Sequence, residues 1–155
     1  MTFWQKLLTA AIVVFALYLV ARMVVARIQP VPGDLGAQGG SLRPCPDMPN
    51  CACSQSTDER HQVEPLALTM PHRDALAGLV SLLKAMPRTT IETATDDYIH
   101  ATVTSAGFGY IDDIELLIQD DQIDIRSGAR LGYYDFEHNH KRVEAIRQAW
   151  AALSE

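Results

Sequence analysis

Cys45, Cys51 and Cys53 fall within nine positions of one another, interleaved with Pro46, Pro49 and Asn50 in the stretch RPCPDMPNCACSQ. Three chemistries fit such a cluster. With His61, the three sulfurs are four soft ligands for zinc or copper(I), although C-x5-C-x-C is not one of the usual knuckle spacings. A single catalytic thiol needs an activating base, and the spacing fixes none. A disulfide that closes a small loop is the third, and prolines within the loop already remove much of its chain freedom.

A second set of residues comes together through strand register. If Asp120 and Asp121 form a two-residue hairpin turn, residues whose numbers sum to 241 stand opposite one another. Leu116 then pairs with Ile125 and Ile118 with Ile123 on one face, and Glu115 pairs with Arg126 on the other. A slip of one residue would mix the apolar and charged sets. Asp113 shares the face of Glu115, diagonal to Arg126 and Arg130. A preceding strand joined through Ser105–Tyr110 brings His100 beside Glu115. The expected cluster is His100, Asp113, Glu115, Arg126 and Arg130. It can act as a solvated ion-pair ladder. It can also hold two guanidinium groups toward an anionic ligand, or perform acid–base work with His100, Asp113, Glu115 and Arg126.

Beyond Arg126, the segment RSGARLGYYDFEHNHKR adds Asn139, Lys141 and Arg142 to the candidates for an anion-facing surface. Asp135 or Asn139 is placed to cap a terminal helix, and Gly132 to allow a close approach of backbone or ligand. His138 and His140 are two apart, so on a helix they diverge and make a poor metal pair.

The elements that position these residues follow from periodicity. From Phe3 to Ile28 the only charges are Lys6, Arg22 and Arg27. Leu7–Ala21 is an unbroken run of apolar or weakly polar residues, about 22 Å as a helix, and extension to Val25 spans a hydrocarbon core if Arg22 snorkels. Residues 1–28 are therefore expected as a single-pass anchor in the bilayer, with residues 3–28 as the contact. No clean small-x-small site follows that would mark a cleaved signal peptide. Residues 29–42, rich in Pro and Gly, are expected as a tether, and residues 43–155 as a soluble domain.

Within that domain Val63–Leu68 reads as a short strand, and Leu76, Leu79, Val80 and Leu83 as one face of a helix that ends before Pro87. Thr89–Ala94, Tyr98–Ser105, Ile111–Gln119 and Gln122–Ala129 read as strands. Val143, Ile146, Trp150 and Leu153 form the stripe of a last helix. This order predicts an α+β fold: a mainly antiparallel sheet of four to five strands with two helices on one face, the other face being wet or carrying the site.

The chain has a net charge of −6, and its first thirty residues hold three basic and no acidic side chains, so the remainder carries −9. Such a domain repels phosphate backbones, which excludes nucleic acid as the expected partner. No Ser-His-Asp order, phosphate-binding glycine loop or zinc-protease motif is present, and no cofactor is expected.

Three stretches in order, CPDMPNC, FGYIDDI and Arg126–Arg142, resemble the bacterial and plastid family known as domain of unknown function 1499. There a C-P-x-x-P-N-C-type loop, an F-G-F-x-D-D-type strand entry and an R-S-x-S-R-x-G-type segment ending in N-R-x-R recur. The resemblance runs from Cys45 to about Arg147. It singles out Cys45, Pro46, Pro49, Asn50 and Cys51, then Asp112 and Asp113, then Arg126, Ser127, Arg130, Gly132, Asp135, Asn139 and Arg142. The chain departs from the pattern at Ala129, where Ser is expected, at Glu137, where Gly is expected, and at His140, where Arg is expected. The family has no assigned reaction and looks like one of exported or membrane-tethered domains. That implies an extracytoplasmic domain, and with it a disulfide between Cys45 and Cys51 that leaves Cys53 over. The function expected is a membrane-tethered binding or assembly module for an anionic small molecule or an envelope partner. A hydrolase-like enzyme and a cysteine-based metal-handling domain are the alternatives.

Overall fold

The computed structural model describes residues 2–153. The first element, α1 (Phe3–Arg27), starts from a capping box in which Thr2 and Gln5 satisfy each other's backbone N–H groups. It buries no residue and is long and apolar enough to cross a membrane, a character shared with signal sequences. One stripe of it, Tyr18, Ala21, Arg22 and Val25, is half-buried against the domain. Tyr18 Oη donates to Gly107 O (2.9 Å), and the Tyr18 and Phe108 rings meet edge to face at 5.6 Å. The Arg22 guanidinium lies beside Tyr18 Oη, at 3.4 Å.

The sheet has six strands: β1 (Cys51–Cys53), β2 (Leu66–Ala67), β3 (Thr89–Ala94), β4 (Tyr98–Thr104), β5 (Ile111–Ile118) and β6 (Gln122–Ala129). Their order is β1-β6-β5-β4-β3, with β2 also on β6, and every pairing is antiparallel. The four long strands lie where the β-branched runs predict them. β2 lies within the predicted strand Val63–Leu68 but keeps only two of its residues, and β1, of three residues, is too short to leave a period in the sequence. Leu116 faces Ile125, Ile118 faces Ile123 and Glu115 faces Arg126, the register that the Asp120-Asp121 turn implies.

Alternate side chains of β4, β5 and β6 (Ile99, Ala101, Ile114, Leu116, Ile118, Ile123, Ile125) form the core beneath two helices, α2 (His72–Ala85) and α3 (His138–Leu153). α2 buries Ala75, Leu79, Leu82 and Leu83, whereas Leu76 and Val80 are only half-buried. The stripe is turned from its predicted position because α2 packs on α3 as well as on the sheet. α3 buries Asn139, Val143, Ile146 and Trp150, and Leu153 is exposed.

The opposite face of the sheet differs from the expectation of a wet surface. Residues 29–42 form no long strand but are bonded along it. The Gln29 side chain donates to Gly109 O (3.0 Å) and accepts from Ile111 N (2.8 Å). Gly36 N donates to Glu115 Oε1 (3.0 Å), Gly40 O accepts from the side chains of Gln55 and Gln119, and Leu42 packs with Tyr98 and Leu117. The segment starts at the β4–β5 loop and ends at the β5–β6 turn, crossing the whole face.

The helix layer closes at Gly78, where an added Cβ would lie 3.0 Å from Trp150 Cζ3. Gly78→Val is expected to cost about 1–3 kcal/mol by overpacking this crossing. Denaturant unfolding of the full chain in detergent micelles, followed by circular dichroism, measures it.

Candidate functional site

The covered face of the sheet carries a chain of ionic and polar groups set by strand alternation. Glu115 accepts from Tyr98 Oη (2.8 Å) on Oε1 and from Arg126 Nη1 (3.1 Å) on Oε2. Glu115 is fully buried and Arg126 is 2% exposed. Gly128 makes the space for this arginine, because a Cβ there would lie 3.0 Å from Arg126 Nη2. One residue row away, Asp113 is held by an imidazole and a guanidinium. His100 Nε2 lies 2.8 Å from Asp113 Oδ1, and Arg130 donates through Nε (2.9 Å to Oδ2) and Nη2 (2.7 Å to Oδ1). Toward the β5–β6 turn, Asp124 accepts from Ser54, Gln55, Gln119 and Gln122.

Burial and pairing compete in setting the charges. Burial pushes the Asp113 carboxyl up, but hydrogen bonds from His100 and Arg130 outweigh it and hold the group below the usual carboxylate range. Burial lowers Arg126 against the opposing pull of Glu115. The hydrogen bonds to Asp113 raise Arg130. Burial, reinforced by the charge of Glu115, pushes the Tyr98 phenol far up, so it serves as a hydrogen-bond donor.

A second network lies on the helix side of the same corner. Asp112, one residue from Asp113 and so on the opposite face, accepts from Arg142 Nη2 (2.7 Å). Arg142 Nη1 also donates to Asn139 Oδ1 (2.6 Å) and Ser127 Oγ (3.0 Å), and Ser127 donates to Asn139 Oδ1 (2.6 Å). Asp135 caps α3, accepting from Asn139 N (2.8 Å) and Nδ2 (2.7 Å). Asn50 O closes the network, accepting from Ala129 N (3.0 Å) and Asn139 Nδ2 (2.9 Å), while Asn50 Nδ2 donates to Gly132 O. Burial pushes Asp112 up, with Arg142 opposing. Phe136 and Glu137, just before α3, both adopt left-handed backbone (φ 56° and 62°), and Glu137 stands where the resembled family has glycine.

Cys45 and Cys51 form a disulfide, and Cys53 is a free, buried thiol whose pKa burial raises. The alternative cage of Cys45, Cys51, Cys53 and His61 is therefore not formed, because two of its four ligands are bonded to each other. Among the described residues no group of three or more His, Cys, Asp or Glu is arranged to hold a metal. His61 Nδ1 sits 3.0 Å from Cys51 O, and its buried Nε2 has no hydrogen-bond partner. A cavity of about 590 Å³ adjoins this loop, lined in part by Pro44, Cys45, Pro46, Cys53, Arg60 and His61. Arg60 is gripped by Asp47 (2.8 Å) and Asp58 (2.6 Å), and its hydrogen bonds lower Asp58 to about 2.

The structure thus brings His100, Asp113, Glu115, Arg126 and Arg130 together as the register implies. Asn139 and Arg142 belong to the other network, across the sheet. Lys141 joins neither: it is exposed and reaches Phe136 O and Glu137. The sequence reading did not include Tyr98, Asp124 or Gly128 in the cluster, although alternation along β4 and β6 assigns all three to that face. The backbone of Gly36 had no signal, since docking of an aperiodic segment leaves no pattern.

A family described as Protein of unknown function (DUF1499) has a profile that matches residues 41–150. No curated protein and no solved structure matches.

Glu115→Ala leaves the Arg126 charge buried without a counter-ion and is expected to cost about 3–5 kcal/mol. Replacing both, as Glu115→Leu with Arg126→Met, is expected to recover most of that loss. Unfolding of the three variants in micelles tests the pair. The pH dependence has a definite sign. Asp113, with its folded pKa below the unfolded one, contributes stability fully present above the ordinary carboxylate pKa of about 4 and lost as pH falls through the folded value. Asp112 is shifted the other way, so the cost of its buried charge is relieved as pH falls through its raised folded value, above about 4. Asp113→Asn is therefore expected to flatten the slope of unfolding free energy against pH below about 4, and Asp112→Asn to make the slope more positive just above about 4. Acid titration of denaturant midpoints reads both slopes.

Proposed function

The chain belongs to the DUF1499 family, whose description names no reaction, and from that premise we propose a membrane-tethered, extracytoplasmic binding or assembly module. The observation that carries the reading is the disulfide-closed loop 45–51 forming one wall of a cavity of about 590 Å³, downstream of a helix suited to a bilayer. Disulfides persist in oxidising compartments, which favours a domain outside the cytosol. A wall of prolines and a disulfide is also stiff, and a preorganised wall lowers the cost of binding.

The ligand of this module is a small polar molecule or a short polar segment of an envelope partner. Ser41 and Thr57 bring hydroxyls to the cavity lining, and Arg60 sits at it between the carboxylates of Asp47 and Asp58, which leaves the trio net acidic. An anionic ligand finds less support at the arginine corner, where Arg126, Arg130 and Arg142 are each committed to a carboxylate. Catalysis by His100, Asp113, Glu115 and Arg126 would require substrate access to residues that are at most 7% exposed.

Thiol labelling of intact cells with a membrane-impermeant maleimide tests location and cysteine state together. The expected result is no labelling of the native protein, labelling of the half-buried Cys45 after reduction without lysis, and labelling of the buried Cys51 and Cys53 only on denaturation. Labelling that requires lysis places the domain in the cytosol and ends the reading.

A further inference from the structure

Among the described residues outside α1, the exposed large apolar side chains are Ile28, Val31, Phe108, Tyr110, Tyr133, Tyr134, Phe136 and Leu153. Ile28 and Val31 follow directly on α1. The five aromatics occupy two loops, β4–β5 and β6–α3, and these loops share one end of the sheet: Asp112 pairs with Ala129, and Arg130 N donates to Ile111 O (3.0 Å). The same end receives α1, through Tyr18 on Gly107 and Phe108 and through Gln29 on Gly109 and Ile111. Only Leu153 lies apart from this group in the chain. A soluble surface has no reason to gather its exposed rings at one end. An amphipathic ring at a membrane–water boundary does, because it buries its apolar body and keeps its polar tip wet.

The contact at Tyr18 sets the depth. A hydrocarbon core of roughly 30 Å takes about 20 helical residues. Counted from Phe3, where α1 begins, that length passes Tyr18 and reaches about Arg22. Phe108, packed on Tyr18, then lies at or just below the headgroup boundary. Arg22, at the half-buried stripe of α1, lies beside Tyr18 Oη and close to Gly109, so the loop also gives this charge polar company where the apolar run ends. The aromatic pair Tyr134 and Phe136 (centroids 5.3 Å apart) projects from the neighbouring loop, with Lys141 close by, bonded to Phe136 O and exposed.

We infer that this end of the domain is a membrane-docking surface, with the β4–β5 loop inserted at the lipid boundary beside α1 and the β6–α3 loop resting at headgroup level. The inference rests on α1 spanning a bilayer and adds to it a fixed, seated posture of the domain. Its occupant is the lipid surface itself.

The test uses the full chain in phosphatidylcholine nanodiscs, carrying a Cys53→Ala background and one nitroxide at a time through Val13→Cys, Phe108→Cys, Tyr134→Cys or Asp96→Cys. Asp96 lies in the β3–β4 turn, at the far end of the sheet. Collisions with oxygen report hydrocarbon, and collisions with a nickel chelate report water. Oxygen is expected to dominate at 13 and 108, nickel at 96, with 134 between. Nickel dominance at 108 with oxygen dominance at 13 overturns the docking surface alone. Nickel dominance at 13 overturns the membrane reading and the inference with it. Nickel-accessible labels at 108 and 134 in nanodiscs that become shielded in native membranes assign the patch to a protein partner and overturn the inference. In the unmodified chain, a phosphatidylcholine with a carbene precursor near its glycerol is expected to label residues 106–111 and to spare residues 93–98, and the reverse pattern counts against the proposal.

Discussion

The Glu115–Arg126 pair, closed off from water at the centre of the sheet, constrains the structure around it. Two charges taken out of water cost several kcal/mol each, and their attraction offsets this only when other polar groups complete the arrangement. Tyr98 and the backbone of Gly36 complete the carboxylate, and the missing side chain of Gly128 admits the guanidinium. On an open face the same pair would be a solvated rung contributing 0–1 kcal/mol. Covered, it specifies a register: a slip of β5 against β6 by one residue would strand both charges among Ile and Leu.

That distinction separates what the sequence conveyed from what it did not. Alternation and the Asp120-Asp121 turn predict which residues face one another, and the observed register agrees pair by pair. Burial of the charged face was not predictable, since strand parity assigns a side chain to a face without saying what lies over it. The cover is Gln29–Leu42, where Pro and Gly erase any period and the contacts are made by backbone groups, the Gln29 side chain and one leucine. The division of the basic corner was hidden for a related reason. Asn139 and Arg142 lie in one linear segment with Arg130, but α3 sits on the helix side, so their partners are Asp112 and Ser127. The resemblance to a known family identified these residues as a set without distinguishing the two networks.

The adjacent acids Asp112 and Asp113 explain why one motif serves both. Successive residues of a strand point to opposite faces, so an Asp-Asp dipeptide at the start of β5 binds Arg142 through the sheet's upper side and Arg130 through its lower. Loop 45–51 joins the two at the sheet edge. Asn50 O receives β6 and α3 together, while Cys45 and Cys51 bind the incoming segment to β1. The three motifs are thus one connected corner, and their polar groups are largely spent on one another. Residues so committed fix a shape, and recognition falls to the surfaces that the shape presents.

The covering segment also links α1 to this corner. A free linker of the fourteen residues 29–42 would let the domain wander about 21 Å from the end of α1. Residues 29–42 are instead bonded at Gln29, Gly36, Gly40 and Leu42, in sequence from the loop that touches α1 to the turn at the far end of the sheet. A displacement of α1 relative to the sheet that pulls on this segment breaks Gln29 from Gly109 and Ile111, then uncovers Glu115. Uncovering a buried carboxylate rehydrates it and weakens its hold on Arg126, so the position of α1 against the domain and the order of its ionic face are coupled by the same few hydrogen bonds.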